Sequence, residues 1–185
     1  MKNILALLIF TLASLGLFSQ NNMNTGIIYG KNHAFSLTAP EGWVLDNESG
    51  VSQGLHAVFY KKGETWADAI AVMYANTASL DDRAYKTLEQ LIKYDLKNFK
   101  KNYHDIIVTD EKDIVIKDSV IAQVKYLSGK SYGNFEAMAY IDAGKTGIII
   151  VMTSRTKDGF ENSLTAFKSL VQSYFFLADN VLFNK

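Results

Sequence analysis

The chain has 185 residues, of which 48% are hydrophobic and 21% are charged, so it can fill an ordinary core and lacks the composition of a disordered protein. Its 19 basic and 19 acidic residues give a formal net charge of zero, which argues against nucleic acid or an anionic membrane as an obligatory partner. There is no cysteine, which excludes disulfides, thiol nucleophiles, lipoprotein anchors and thiolate metal sites.

Residues 1–19 have the pattern of a secretory signal peptide. Lys2 supplies a positive start, and an apolar run follows over residues 4–18. This run is shorter than the ~20 residues that a membrane-spanning helix needs, which favours cleavage over an uncleaved anchor. We expect the cut near Ser19-Gln20, export to the periplasm or medium of a bacterium, and no stable membrane insertion afterwards.

The mature chain is predicted to be a flexible polar leader at residues 20–25 followed by a single α+β domain at residues 26–185. Neither a linker nor an internal repeat divides the second range. A short strand is expected first, at residues 27–29, before the longer strand described next.

The stretch from Phe35 to Trp43, FSLTAPEGW, organises the N-terminal strands. Apolar and polar residues alternate up to Ala39, which is typical of a half-buried strand. Pro40 cannot donate a hydrogen bond to a sheet, so pairing should stop there. After the turn at Gly42, Trp43 is predicted to fold back into the core.

Two further strands, predicted at residues 55–61 and 67–75, form a hairpin through the polar turn at residues 62–66. Trp66 lies in this turn, where an exposed indole would suit a protein partner or an apolar ligand. The alternative is that its ring folds down and covers the sheet. Trp66 is the one ligand- or partner-binding candidate that the sequence indicates.

A long amphipathic helix is predicted from Leu80 to Tyr103, because apolar residues recur there at helical spacing. Ser79 is the expected N-cap, with Asp82 in the capping-box position. Such a helix would have about 24 residues and a length of roughly 36 Å. Three lysines lie in its last turns, where the helix C-terminus favours positive charge, and we do not interpret them as a binding patch: Lys97, Lys100 and Lys101.

Short strands separated by turn residues follow, which predicts an antiparallel meander, then a second helix and an extended aromatic tail. The last strand is apolar at nearly every position and should therefore be central in the sheet. The strands are predicted at residues 106–108, 114–117, 120–127, 132–142 and 146–154, the helix at 157–173 and the tail at 174–177.

The stretch from Phe35 to Trp43 resembles the F-x-x-x-x-P-x-G-W opening of PsbP-like domains, which comprise the extrinsic photosystem subunits and their bacterial relatives. The predicted order of elements over residues 26–177 is also similar to theirs. The resemblance implies an α/β/α sandwich around an antiparallel sheet, and partner binding without catalysis. No functional residue of those proteins can be matched to a position in this chain.

No metal-binding or catalytic motif stands out. The histidines lack the fixed spacing of metal ligands, and each is predicted to be structural: His33, His56 and His104. Three acidic residues could hold calcium but lack the glycine-centred loop of known sites, which favours a solvated connection: Asp110, Glu111 and Asp113. The chain has no Gly-x-Ser-x-Gly elbow, phosphate loop or dinucleotide fingerprint.

The sequence thus predicts an exported, non-enzymatic binding or accessory module that needs no cofactor. Its partner is expected to be an unknown protein. The alternative is a carrier of a small apolar ligand, bound between the long helix and the sheet near Trp66. A hydrolase is a more remote alternative, since fold does not fix function.

Overall fold

A computed structural model describes residues 24–30, 32–179 and 181. The predicted signal peptide, residues 1–19, lies outside them. The strands are β1 (Thr25–Gly30), β2 (His33–Thr38), β3 (Trp43–Asp46), β4 (Val58–Lys61), β5 (Ala71–Ser79), β6 (Ile107–Asp110), β7 (Ile114–Val115), β8 (Ile121–Ser128), β9 (Phe135–Asp142), β10 (Thr146–Ser154) and β11 (Phe175–Ala178). The helices are α1 (Leu88–Asn102), α2 (Lys157–Glu161) and α3 (Leu164–Gln172). None of these described helices combines the length and the apolar composition needed to cross a membrane.

The strands form two antiparallel sheets. The small sheet has the order β1-β2-β11, and the large sheet has the order β3-β4-β5-β10-β9-β8-β6, with β7 also paired to β8. The β8, β9 and β10 strands are joined in sequence and paired in space, which is the predicted meander. Because β10 lies between β5 and β9 and is covered on both faces, its run from Gly147 to Met152 is buried at every position.

Helices lie on both faces of the large sheet, which confirms the predicted α/β/α sandwich. The face carrying Met73 and Ile150 packs against α2, α3 and the small sheet. The opposite face packs against α1 through a set of buried residues that we name the helix-covered cluster: Leu80, Leu88, Leu91, Ile92, Leu127, Met138, Tyr140, Ile149 and Val151.

The chain passes from the small sheet to the large one at Pro40. The Trp43 amide donates a hydrogen bond to the Pro40 carbonyl at 3.0 Å, which closes the turn. Gly42 occupies this turn with φ = +77°, a conformation that favours glycine. Trp43 is 5% exposed and belongs to the core, as predicted.

The long helix begins eight residues later than the sequence predicted. Residues 71–79 continue as β5 along the whole of β10, so Ser79 ends a strand and does not cap a helix. The N-cap is Thr87, whose hydroxyl accepts a hydrogen bond from the Gln90 amide at 3.2 Å. The Gln90 side chain accepts one from the Lys86 amide at 2.7 Å, so the two residues satisfy neighbouring amides as in a capping box. The helix therefore has 15 residues.

The expected hairpin turn at residues 62–66 is a longer loop, because β4 ends at Lys61 and β5 starts at Ala71. The predicted second helix is also interrupted. It divides into α2 and α3 at Asn162 and Ser163, while Thr156 caps its start by accepting a hydrogen bond from the Gly159 amide at 3.0 Å.

Candidate functional site

An open cavity of about 590 Å³ lies on the face of the large sheet that α1 packs against, and no residue of α1 lines it. We name it the Trp66 groove. Its size falls within the range of small-molecule sites in proteins. The residues that line it are Gln53, Leu55, Trp66, Ala67, Ala69, Ile70, Val72, Tyr74, Asn76, Asn134, Thr153, Ser154 and Arg155.

The loop that carries Trp66 is tied to the end of β10. The Ser154 hydroxyl donates a hydrogen bond to the Ile70 carbonyl at 3.0 Å, and the Arg155 guanidinium donates one to the Ala67 carbonyl at 3.2 Å. Within the loop, the Ala69 amide donates to the Thr65 carbonyl at 2.9 Å. These bonds on both sides of Trp66 hold its half-buried ring at the groove.

Neighbouring strands form the base of the groove. Val72 and Tyr74 project from β5 on this face because side chains alternate along a strand, and Thr153 lies opposite Val72 on β10. On the other face of β5, Ala71 and Met73 are buried in the core. The base of the groove is thus fixed by sheet register, and its sides come from the connections that carry Gln53, Trp66 and Asn134.

Glu136 lies beside this base without lining the groove, and the sequence prediction did not select it. It is only 4% exposed, on β9, opposite Thr153. Burial raises the pKa of Glu136 to about 7. Burial, and secondly the charge of Glu136, raises the pKa of the Tyr74 phenol. The sequence did contain a signal that could have identified Glu136, because it is a charged residue inside the otherwise mostly apolar sequence of a central strand.

Both apolar and polar side chains line the groove. The apolar side chains include Leu55, Trp66 and Ile70. The amide and hydroxyl groups come from Gln53, Tyr74, Asn76, Asn134, Thr153 and Ser154. Of the described residues that line it, none is a histidine. Such a surface can hold a molecule with an apolar body and a polar group at one end.

The other residues considered in the sequence do not converge on this groove. His56 and His104 are exposed, and His33 is half-buried next to the Phe35 ring, with a pKa lowered by burial. In the acidic group, Asp110 forms an ion pair with Lys125 at 2.6 Å. Across the part of the chain that the structure describes, no three His, Cys, Asp or Glu residues are placed to hold a metal ion.

The sequence matches no model of a known protein family. It matches no curated protein either.

Solved structures, however, share the fold. The cyanobacterial PsbP protein CyanoP of Synechocystis superposes with a TM-score of 0.52 at 12% identity, over 90% of this chain and 99% of that one. The Ran-binding protein Mog1p of Saccharomyces cerevisiae has a TM-score of 0.48 at 9% identity, over 83% and 95% of the two chains. A putative regulator from Pseudomonas aeruginosa has a TM-score of 0.46 at 13% identity, over 80% and 94%. The likeness to CyanoP confirms that the fold is PsbP-like.

Proposed function

We propose that the protein is an exported, non-enzymatic binding module that holds its ligand or partner in the Trp66 groove. The observation that carries this proposal is an open cavity of about 590 Å³ beside a half-buried indole, on the part of the sheet that α1 leaves uncovered. Aromatic side chains that are only partly buried at the edge of a cavity contribute strongly to binding.

A binding role agrees with the chemistry of the lining. Catalysis of the nucleophile-and-base type needs a hydroxyl within reach of a base. The Ser154 hydroxyl in the groove is instead engaged with backbone, since it donates to the Ile70 carbonyl and accepts from the Thr156 amide at 3.3 Å. A module with the PsbP-like fold and this lining is best suited to hold a molecule rather than to transform it.

The lining also bears on the alternative of an apolar-ligand carrier. The space between α1 and the sheet is occupied by the helix-covered cluster, in which Leu91 and Val151 are at most 2% exposed. The groove lies beside that cluster, and it presents Asn76, Asn134 and Arg155 in addition to apolar groups. These features favour a ligand that is apolar only in part.

Capture from the protein's own host tests the proposal. Tagged wild-type protein should retain a specific protein or small molecule, detected by mass spectrometry of the eluate and by native mass spectrometry of the complex. Trp66→Ala should lose it, whereas Tyr94→Ala, which truncates an exposed aromatic ring on α1, should keep it. Retention by both variants would place binding elsewhere, and turnover of the captured molecule would contradict a non-enzymatic role.

Export and domain organisation belong to the same proposal. We propose that residues 1–19 direct secretion and that residues 26–185 form a single domain after the leader at residues 20–25. The mature protein isolated from culture should then begin at Gln20, or one residue later, by intact mass. A full-length mass in the membrane fraction would contradict cleavage.

A further inference from the structure

Polar side chains from separate parts of the chain converge on the Trp66 groove. Gln53 belongs to the connection between β3 and β4, Asn76 to β5, and Asn134 to the connection between β8 and β9. Tyr74 on β5 and Thr153 on β10 add two hydroxyl groups. Three amide groups and two hydroxyl groups therefore line one cavity, and they come from four different segments of the chain.

These five polar side chains are open to a ligand. Among the residues that the structure describes, none of the five forms a hydrogen bond to the protein through its side chain. Gln53 and Asn76 are exposed. Tyr74, Asn134 and Thr153 are half-buried, but their polar atoms remain accessible to solvent. A ligand in the groove can therefore form hydrogen bonds to these groups without breaking one within the protein.

The groove carries little charge. Of the described residues that line it, Arg155 alone is charged, and its guanidinium donates a hydrogen bond to the Ala67 carbonyl at 3.2 Å. A cationic ligand would meet no carboxylate in this lining, and an anionic ligand would meet a single, exposed guanidinium. Side-chain amides and hydroxyls both donate and accept hydrogen bonds, so they match a neutral ligand whose own groups do the same. Hydroxyl groups have this property.

The apolar residues of the lining indicate an apolar surface on the same ligand. Trp66 is half-buried, and Leu55 and Ile70 line the groove with it. The ring of a sugar combines both features, because its C–H groups form apolar faces and its hydroxyl groups lie around the edge. Along β5, the lining from Val72 to Asn76 spans about 13 Å at the usual rise of a strand, which is longer than one sugar ring.

The base of the groove is less suited to an extended peptide. Such peptides commonly add a strand to the free edge of a sheet. The β5 strand is paired with β10 along its whole length and with β4 from Val72 to Tyr74, so its backbone groups are already used. Side chains of the lining, rather than backbone, must therefore recognise the ligand.

We propose that the Trp66 groove binds a neutral oligosaccharide. One face of a sugar ring packs against the Trp66 indole, and its hydroxyl groups bond to the side-chain amides of Asn76 and Asn134. Aromatic side chains supply a large apolar contact surface, and a few well-placed polar groups fix the orientation of a ligand. This inference rests on the proposed function, since it names the class of ligand that the same groove receives.

A glycan microarray that carries neutral, sialylated and sulfated oligosaccharides provides the test, probed with fluorescently labelled mature protein. The wild type should bind neutral oligosaccharides, and raising the salt concentration should leave this binding unchanged, because no ion pair is involved. The neutral oligosaccharide that binds best, added to isotope-labelled mature protein, should shift the NMR signals of the Trp66 indole and of the Asn76 and Asn134 side-chain amides.

Matched pairs of variants assign the binding to the groove. Trp66→Ala should weaken it at least about tenfold, whereas Tyr94→Ala, at an exposed ring on α1, should leave it unchanged. Asn76→Ala should weaken it about three- to tenfold, the scale of one lost hydrogen bond. Asn102→Ala, at the exposed last residue of α1, should have no effect. Amide chemical shifts away from the groove report that each variant is folded.

The outcomes separate this inference from the function on which it rests. Binding only to sialylated or sulfated oligosaccharides, weakened by salt, would overturn the neutral ligand and leave the binding module in place. So would an array without binding if a protein, peptide or other molecule captured from the host is lost in Trp66→Ala. Array binding that survives Trp66→Ala would place the sugar outside the groove and overturn the inference. If no oligosaccharide binds and no host molecule depends on Trp66, both proposals are overturned.

Discussion

Two regions of one sheet face differ sharply although the same two strands form them. Met138 on β9 and Val151 on β10 lie under α1 and are 5% and 2% exposed. Two residues further along each strand, on the same face, the corresponding positions are Glu136 and Thr153. Thr153 lines the Trp66 groove, and Glu136 is its buried neighbour on β9. The change from apolar to polar follows the point where α1 stops covering the sheet.

The difference separates the region of the sheet that stabilises the fold from the region that we propose for binding. Under α1, each side chain removes apolar surface from water and contributes favourably to folding. Next to the groove, the buried Glu136 costs free energy when its carboxyl group ionises, because burial disfavours the charged form. Substitutions in the packed regions should therefore change stability, and those at the groove should mainly change binding or pH dependence.

The largest effect is expected at a fully packed position. Trp43→Ala should lower the free energy of unfolding by ~3–5 kcal/mol, since the ring is 5% exposed in the core and its removal leaves a cavity. Urea denaturation should show a lower midpoint with an unchanged slope. Ile27→Ala, at an exposed position of β1, should cost less than about 1 kcal/mol. Equal costs would mean that the packed and open regions are not energetically distinct.

Glu136→Gln tests the energetic cost of burying this acid next to the groove. Because the folded pKa of about 7 lies above that of an unfolded glutamate, the folded chain keeps a proton that the unfolded chain loses as pH rises. The contribution of Glu136 to stability should be highest below pH ~4.3 and fall by up to ~1.4 kcal/mol per pH unit until about pH 7, at most about 4 kcal/mol in total. Glutamine does not titrate and removes this loss.

Urea midpoints at pH 5 and pH 8 provide the measurement. The two proteins should be similar at pH 5, and the Glu136→Gln variant should be the more stable at pH 8. The control is Glu41→Gln, which should follow the wild type at both values because Glu41 is exposed. A wild type that gains stability between these pH values relative to Glu136→Gln would show that the carboxylate is paired in the folded state.

A smaller effect on stability is expected at the N-cap of α1. Thr87→Ala removes the hydroxyl that accepts the Gln90 amide at 3.2 Å and should cost about 1 kcal/mol, the usual value of an N-cap. Ser79→Ala should cost less than about 0.5 kcal/mol, because Ser79 is an exposed strand end. If Ser79→Ala were the more destabilising of the two in thermal or urea unfolding, the result would favour the longer helix that the sequence predicted from Leu80.

The sequence predicted the packed regions better than the open one, for physical reasons. Alternation from Phe35 to Ala39 and the apolar run of β10 report burial directly, so strands, their order along the chain and the Trp43 anchor were predictable. The helix start was misplaced because β5 continues as a strand through the mostly polar residues from Asn76 to Ser79, which resemble a helix start, although Thr87 and Gln90 carried the capping signal.

The groove was only partly predictable. Trp66 was noticed because an indole in a polar loop is unusual, and the structure places it at the cavity. Thr153 and Arg155 reach the same cavity only through the pairing of β10 with β5 and the hydrogen bond from Arg155 to the Ala67 carbonyl, which are long-range features. Local patterns of sequence do not encode which strands become neighbours, so the site could not be assembled from them.

The smallest effect on stability is expected at Trp66, and it completes the comparison. Trp66→Ala should cost about 1 kcal/mol or less, because the ring is half-buried at an open groove and its removal leaves no closed cavity. The same urea experiment used for Trp43→Ala measures it, with Tyr94→Ala as an exposed aromatic control. A cost near that of Trp43→Ala would mean that Trp66 covers the sheet as part of the core. A small cost combined with loss of the captured ligand would assign the indole to recognition, since only the complex would then depend on it.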